Sequence, residues 1–292
     1  MEKKRKKQQE KSYPAALTVG VSDSSGSGGI QADLRTFNAF GVYGCSAITA
    51  ISSQTPAALH RLDLLSLEAV TSQIDAIMSA VNVKYAKNGV LLNSGIIDVI
   101  CAAVKKYHLK LVCDPVFTLP EEKNVPDAKI IELFKKQLMP LASWLTPNIP
   151  AAELLLDEKI TSLSEQISAA QKLHALTGVP VIIKGGHGNK VSGQILPKIT
   201  DVICCDGKTW TVSSLKVDVP APVMHGIGST FSAALTAALA LDLPWDDAIG
   251  ESKAFVMGSL VENVRISNHF SAMYPPGNDY TSSILFEEMD VK

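Results

Sequence analysis

The residues best suited to chemistry in this sequence lie in short clusters of small and polar types. Ser22 to Gly29 is a run of serine and glycine around Asp23, with Gly26, Gly28 and Gly29 in its second half. Small residues of this kind let a ligand approach the main chain closely and leave backbone N–H groups available to an anion. Farther on, Asp114 precedes Pro115, and Thr146, Pro147 and Asn148 stand together. Lys184 is followed by Gly185, Gly186, His187 and Gly188, and the stretch His225, Gly226, Ile227, Gly228, Ser229, Thr230 opens an Ala-rich helical run from Phe231 to Leu241. A glycine turn running into a helix aims unpaired N–H groups and the helix dipole at one point. Three such loops and a lysine at one edge of a sheet would suit a phosphate or nucleotide ligand.

Gathering these clusters requires elements that deliver them to one place. Apolar runs with strand character occur at Ala15 to Val21, Val42 to Ile51, Lys110 to Cys113, Ser143 to Thr146, Val179 to Lys184 and Val202 to Cys205. Between them, Ile30, Leu34, Phe37 and Phe40 recur at helical spacing, as do Val70, Ile74, Ile77 and Val81, then Ile130, Leu133, Phe134 and Leu138. Regular alternation of strand and helix predicts a mostly parallel sheet covered on both faces. Such sheets bind ligands beyond the carboxyl ends of their strands, where the clusters fall. With no tandem repeat or long Gly/Ser linker, a basic tail over 1–12 followed by a single domain over 13–292 is the simplest organisation.

Composition narrows the classes further. The 292 residues are 46% hydrophobic and 19% charged, with a mean hydropathy of +0.16, enough apolar side chain to order the bulk of the chain. No apolar run approaches the roughly 18 residues of a membrane span, and the basic N-terminus lacks a signal-peptide core. A cytoplasmic protein without membrane partners is expected. Six of the 27 basic residues but two of the 29 acidic ones lie in residues 1–11, which leaves an acidic body poorly suited to nucleic acid. The five cysteines (Cys45, Cys101, Cys113, Cys204, Cys205) sit in apolar surroundings without a C-x-x-C pair, as expected of buried reduced thiols, and the six histidines form no zinc spacing.

The segment SDSSGSGGIQADLRTFNAFGVYGCSAITAISSQT, followed in order by DPVF, LTPN, VIIKGGH and HGIGSTFSAAL, resembles the hydroxymethylpyrimidine and phosphomethylpyrimidine kinases of thiamin biosynthesis. The likeness spans about residues 15–265. It implies a ribokinase-like three-layer α/β/α sandwich, related to the pyridoxal kinases, that uses ATP and Mg²⁺ to phosphorylate a small heteroaromatic substrate. Carried over by motif, Asp23 and Gln54 would bind the pyrimidine's amino group and ring nitrogens, with Gly28 beside it. Val90 stands where the family usually has a methionine against the ring. Asp114, Thr146, Asn148, Lys184 and Gly185 would lie on the ATP side, with Asp114 toward Mg²⁺, and Gly226 and Gly228 would frame the anion hole. A homodimer is expected, with Val42, Tyr43 and Ile48 as candidate apolar surface.

Besides Val90, and Ile227 in place of the threonine of the anion-hole motif, two positions depart from the family pattern. Ser229 stands where a Cys or Asp base activates the accepting hydroxyl, and a serine is not itself a useful base near neutral pH. Ala151 stands at the carboxylate of the T-P-N-x-x-E pattern, which leaves open whether Glu153 substitutes. These losses imply either a divergent kinase of hydroxymethylpyrimidine and its phosphate or a catalytically impaired relative that still binds a vitamin precursor or nucleotide, and the scaffold shared with pyridoxal kinases, together with Val90, keeps pyridoxal as a rival substrate.

Overall fold

A computed structural model describes residues 13–55, 57–117, 127–185, 190–191, 194–195, 198–219, 226–268 and 270–289. The basic tail, Gly186, His187, Gly188 and His225 lie outside the described residues. In chain order the elements are β1 (Ala15–Asp23), α1 (Gly29–Ala39), β2 (Tyr43–Thr55), β3 (Ala58–Leu64), α2 (Leu67–Ala80), β4 (Val83–Asn88), α3 (Ser94–Tyr107), β5 (Lys110–Cys113) and α4 (Ala128–Leu133). There follow β6 (Ala142–Leu145), α5 (Ile149–Leu156), α6 (Leu163–Thr177), β7 (Val181–Ile183), the short pair β8 (Lys190–Val191) and β9 (Gln194–Ile195), then β10 (Lys198–Cys205) and β11 (Lys208–Leu215). The chain closes with α7 (Ile227–Ala240), α8 (Trp245–Val261), β12 (Val264–Ser267), β13 (Phe270–Ala272) and β14 (Leu285–Glu288).

Ten strands form one sheet in the order β14-β11-β10-β7-β6-β5-β4-β1-β2-β3. Its centre, from β2 through β1, β4, β5 and β6 to β7, is parallel, and antiparallel strands close both edges. Side chains alternate between two apolar layers, as a pleated strand requires. On β1, Leu17 and Val19 enter the core that holds Val70 of α2, Ile97 of α3, Leu155 of α5 and Leu173 of α6. Ala16 faces the opposite core, with Phe37 of α1, Phe231 and Leu235 of α7, and Ile249 of α8. The result is the expected three-layer α/β/α sandwich.

Each strand run read from the sequence is present, but within the ten-stranded sheet the sequence reading passed over β3, β4, β11 and β14. Strand β4 reads Val-Lys-Tyr-Ala-Lys-Asn, too polar to register as a central strand, yet Lys87 and Asn88 are wholly buried in it. The helical period over Ile130 to Leu138 is α-helical only to Leu133 and continues as one π-helical turn. Helix α7 begins at Ile227, ahead of Phe231, and is buried almost all round, which explains its run of alanine and small residues. Val42, expected on the surface, is instead 3% exposed in the core beneath α1, and Ile48 is half-buried; of the three, Tyr43 is open to solvent. The five cysteines are free and buried. Among the described residues no helix is long and apolar enough to cross a membrane.

Candidate functional site

The carboxyl ends of β1, β4, β5, β6 and β7 converge on the N-terminus of α7. At the end of β1, Asp23 is almost wholly buried, and its two carboxylate oxygens accept from Ser25 N at 2.8 Å and Gly28 N at 2.9 Å. The carboxylate expected to face a ring amine thus also shapes its own loop, holding the glycines in a tight turn. Ser24 Oγ accepts from Gln54 N and donates to Gln54 O, each at 2.9 Å, which ties this loop to the end of β2. The Gln54 side-chain amide makes no hydrogen bond among the described residues and is half-exposed beside the loop. Val90, also half-buried, lies just beyond β4.

Helix α7 is locked to that loop through Gly226. Its φ of 84° is left-handed, and a Cβ there would sit 2.3 Å from Ser27 O, so the close approach of the two backbones demands glycine. No side chain among the described residues caps the first turn of α7. Lys184, at the end of β7 and 7% exposed, donates from Nζ to Asp114 Oδ1 at 2.8 Å and to Gly228 O at 3.2 Å. The other oxygen of Asp114 accepts from Ser232 Oγ at 2.9 Å, and Asn88 exchanges hydrogen bonds with the Asp114 backbone. A buried cation, a buried carboxylate and an uncapped helix N-terminus therefore share one corner of the fold.

The β6 end is drawn to the same corner. Lys184 N donates to Pro147 O at 2.8 Å and pairs with Asn148 in an isolated bridge, while Thr146 N donates to Cys113 O. Gly185 N donates to Asp201 Oδ1 at 2.8 Å, and Lys253 from α8 neutralises that aspartate at the same distance. Asn148 caps α5 by accepting from Ala151 N at 2.8 Å, which puts Ala151 at the third helical position, buried. Glu153 does not replace the missing carboxylate. It accepts from Ile160 N at 2.9 Å and from Lys159, at the junction of α5 and α6, and those bonds hold its carboxyl below the usual range.

Sequence reasoning missed Asp33 and Lys87. Lys87 Nζ, fully buried on β4, donates to Asp33 Oδ1 at 2.8 Å and to Ser229 Oγ at 2.9 Å. The signal was present: Asp33 shares the inward face of α1 with Ile30 and Phe37, a position where an ion is costly without a partner. Lys87 shares a face of β4 with Tyr85, but that strand has no clear apolar alternation in the sequence, so its inward charge carried no comparable signal.

Of the residues the sequence singled out, the structure brings Asp114, Lys184, Gly228 and Ser229 into one hydrogen-bonded group, with Thr146, Asn148 and Gly185 held on adjoining strand ends. Asp23, Gly28 and Gly226 form its glycine-lined neighbour. As for Mg²⁺, the described residues contain no cluster of three metal-ligating side chains. The ion usually keeps several waters and takes one or two carboxylates plus substrate phosphates, and Asp114 retains lone pairs beyond those used by Lys184 and Ser232, so the donor set fits that mode.

This sheet order, covered by helices on both faces, is the three-layer architecture of the ribokinase-like class. A crystal structure of Bacillus subtilis pyridoxal kinase with ADP superposes with a TM-score of 0.82 at 32% identity, covering 90% of this chain and 98% of that one. The phosphomethylpyrimidine kinase family model matches residues 23–273, and the chain belongs to that family. It is 34% identical to a hydroxymethylpyrimidine/phosphomethylpyrimidine kinase of Haemophilus influenzae over 86% of this chain and 92% of the relative. It is also 34% identical to a pyridoxine kinase of Bacillus subtilis, over 87% and 93%.

Proposed function

We propose that this protein transfers the γ-phosphoryl group of ATP to the hydroxymethyl group of a methylaminopyrimidine and then to the resulting monophosphate. The observation that carries the reading is the convergence of Lys184, Asp114 and the uncapped start of α7 against the glycine loop of β1. Phosphoryl transfer draws most of its acceleration from alignment and charge stabilisation, which such a corner supplies. Lys184 and the N–H groups of Gly228 and Ser229 would bind the transferring phosphoryl oxygens. Asp114 would hold Mg²⁺, which when bound neutralises charge on the phosphates. Asn148, Thr146 and Gly185 would line the nucleotide side, and Asp23, Gly28, Gln54 and Val90 the heteroaromatic side.

Equal identity to a pyridoxine kinase favours pyridoxal as the second acceptor to consider. A coupled ADP-release assay with ATP and Mg²⁺ across hydroxymethylpyrimidine, its phosphate and pyridoxal separates the two. Turnover on the pyrimidines supports the first reading, turnover on pyridoxal alone replaces it with the second, and nucleotide binding without turnover on any of the three leaves the impaired reading that Ser229 and Ala151 motivate. The half-exposed Ile48 and exposed Tyr43 of β2 support a homodimer, which sedimentation at micromolar protein would reject if it gave a species near 31.2 kDa alone.

A further inference from the structure

Ser229 is not an isolated hydroxyl. Thr18 on β1 and Lys87 on β4 lie side by side in register, and α1 lowers Asp33 onto them. Asp33 Oδ2 accepts from Thr18 Oγ1 at 2.6 Å, while Oδ1 accepts from Lys87 Nζ at 2.8 Å and from Ser229 Oγ at 3.2 Å. Thr18, Asp33 and Lys87 are 0 to 1% exposed, whereas Ser229, at the start of α7, is half-buried and reaches the site. Among the described residues Ser229 is the member of this group that touches both the buried ion pair and the open corner.

A hydroxyl has one proton and two lone pairs. At Ser229 one lone pair receives Lys87 and the proton points to Asp33, which leaves the second lone pair to accept from a substrate hydroxyl. We propose that Ser229 and Asp33 form a two-step proton relay for the accepting hydroxyl, with Lys87 fixing the orientation of both. The proposal rests on the phosphotransfer reading above. As the substrate oxygen bonds to the transferred phosphorus, the bridging P–O bond breaks and its electron pair leaves on ADP. The substrate proton passes to Ser229 Oγ while the serine's own proton moves to Oδ1 of Asp33. After product leaves, the proton returns to water by the same path. Asp33 touches no substrate and acts through Ser229, as a positioning residue. Protein kinases likewise hand the hydroxyl proton to an aspartate, so an acceptor of modest basicity suits this late transfer.

The other charged groups facing position 229 are Lys184, one residue away on Gly228 O, and Asp114, which reaches Ser229 O through Ser232. They sit at the ends of β7 and β5, whereas Lys87 lies on β4 and Asp33 on α1.

Steady-state ADP release with hydroxymethylpyrimidine and ATP tests the relay in the full chain. Ser229→Ala keeps the buried pair, and Asp33→Asn with Lys87→Met removes both charges together so that neither is left alone in the core. Each should lower kcat by about tenfold or more with KM little changed, and the triple variant should be no worse than either, because the groups act as a unit. A thiol accepts a proton directly, so in a Ser229→Cys background the same neutral pair should cost little. An equal loss in both backgrounds would make the pair merely structural and overturn the relay. So would unchanged kcat in Ser229→Ala. An unmodified protein without turnover on any acceptor would instead bring down the kinase reading, and the relay with it.

Discussion

Replacing Gly226 by alanine separates the cost of a left-handed backbone from the cost of forcing apart the two halves of the site. The φ of 84° alone makes an L side chain unfavourable by about 1–2 kcal/mol. In addition, the new Cβ would lie 2.3 Å from Ser27 O, so that carbonyl must withdraw by roughly 0.7 Å to reach even the shortest tolerated contact. Overpacking of this kind adds about 1–3 kcal/mol. Gly41 supplies the control, with a φ of 73° and nothing within 4 Å of the place a methyl group would take. Urea unfolding should therefore show Gly41→Ala losing the backbone cost and Gly226→Ala losing about twice as much or more. The activity difference should be larger, since misplacing a catalytic element by about 1 Å can cost on the order of 10²-fold. ADP-release assays should find Gly41→Ala near normal and Gly226→Ala reduced by about tenfold or more. Equal stability losses and equal activities in the two variants would refute the claim that Gly226 couples α7 to the β1 loop.

Lys253→Met would leave Asp201 charged and buried, and should cost about 3–5 kcal/mol in urea unfolding, with much of the loss recovered by adding Asp201→Asn. Burial pushes the thiols of Cys101 and Cys205 up, to about 11 and about 12, so the folded state favours the protonated form. Stability should be intact below the ordinary thiol range and fall as pH rises through it toward those values, and native protein at pH 8 should resist iodoacetamide while urea-unfolded protein reacts. Ala151→Glu combined with Ser229→Cys should raise kcat by about tenfold or more, and the glutamate should carry most of the gain if the relay already serves Ser229. A gain carried by Ser229→Cys alone would argue against it.

The parallel centre of the sheet was legible because Leu17, Val112 and Ile182 sit in apolar runs whose ends carry glycine, aspartate or lysine. Its covering helices were legible where one face is apolar, as in Val70 and Ile74 of α2. Strand β4 was not, because Lys84, Lys87 and Asn88 interrupt the apolar alternation, and no local pattern reveals that Asp33, in a distant helix, neutralises Lys87. The glycine loops were readable from their composition as tight turns where backbones approach closely. That Asp23 also uses its carboxylate to shape its own loop was not, since this second role leaves no local signature in the sequence. Glu153 shows the same limit: two residues from Ala151 in sequence, it bonds to Ile160 beyond the far end of α5.

Product analysis tests the central claim most directly. Hydroxymethylpyrimidine incubated with the protein, ATP and Mg²⁺ should yield, by phosphorus NMR and mass spectrometry, the pyrimidine monophosphate and then the diphosphate, with one ADP per phosphoryl group transferred, and Lys184→Met should abolish phosphorylated pyrimidine and ADP together. ADP formed with free phosphate and no phosphorylated pyrimidine or pyridoxal, or product formation undiminished in Lys184→Met, would contradict a kinase built on this corner of the fold.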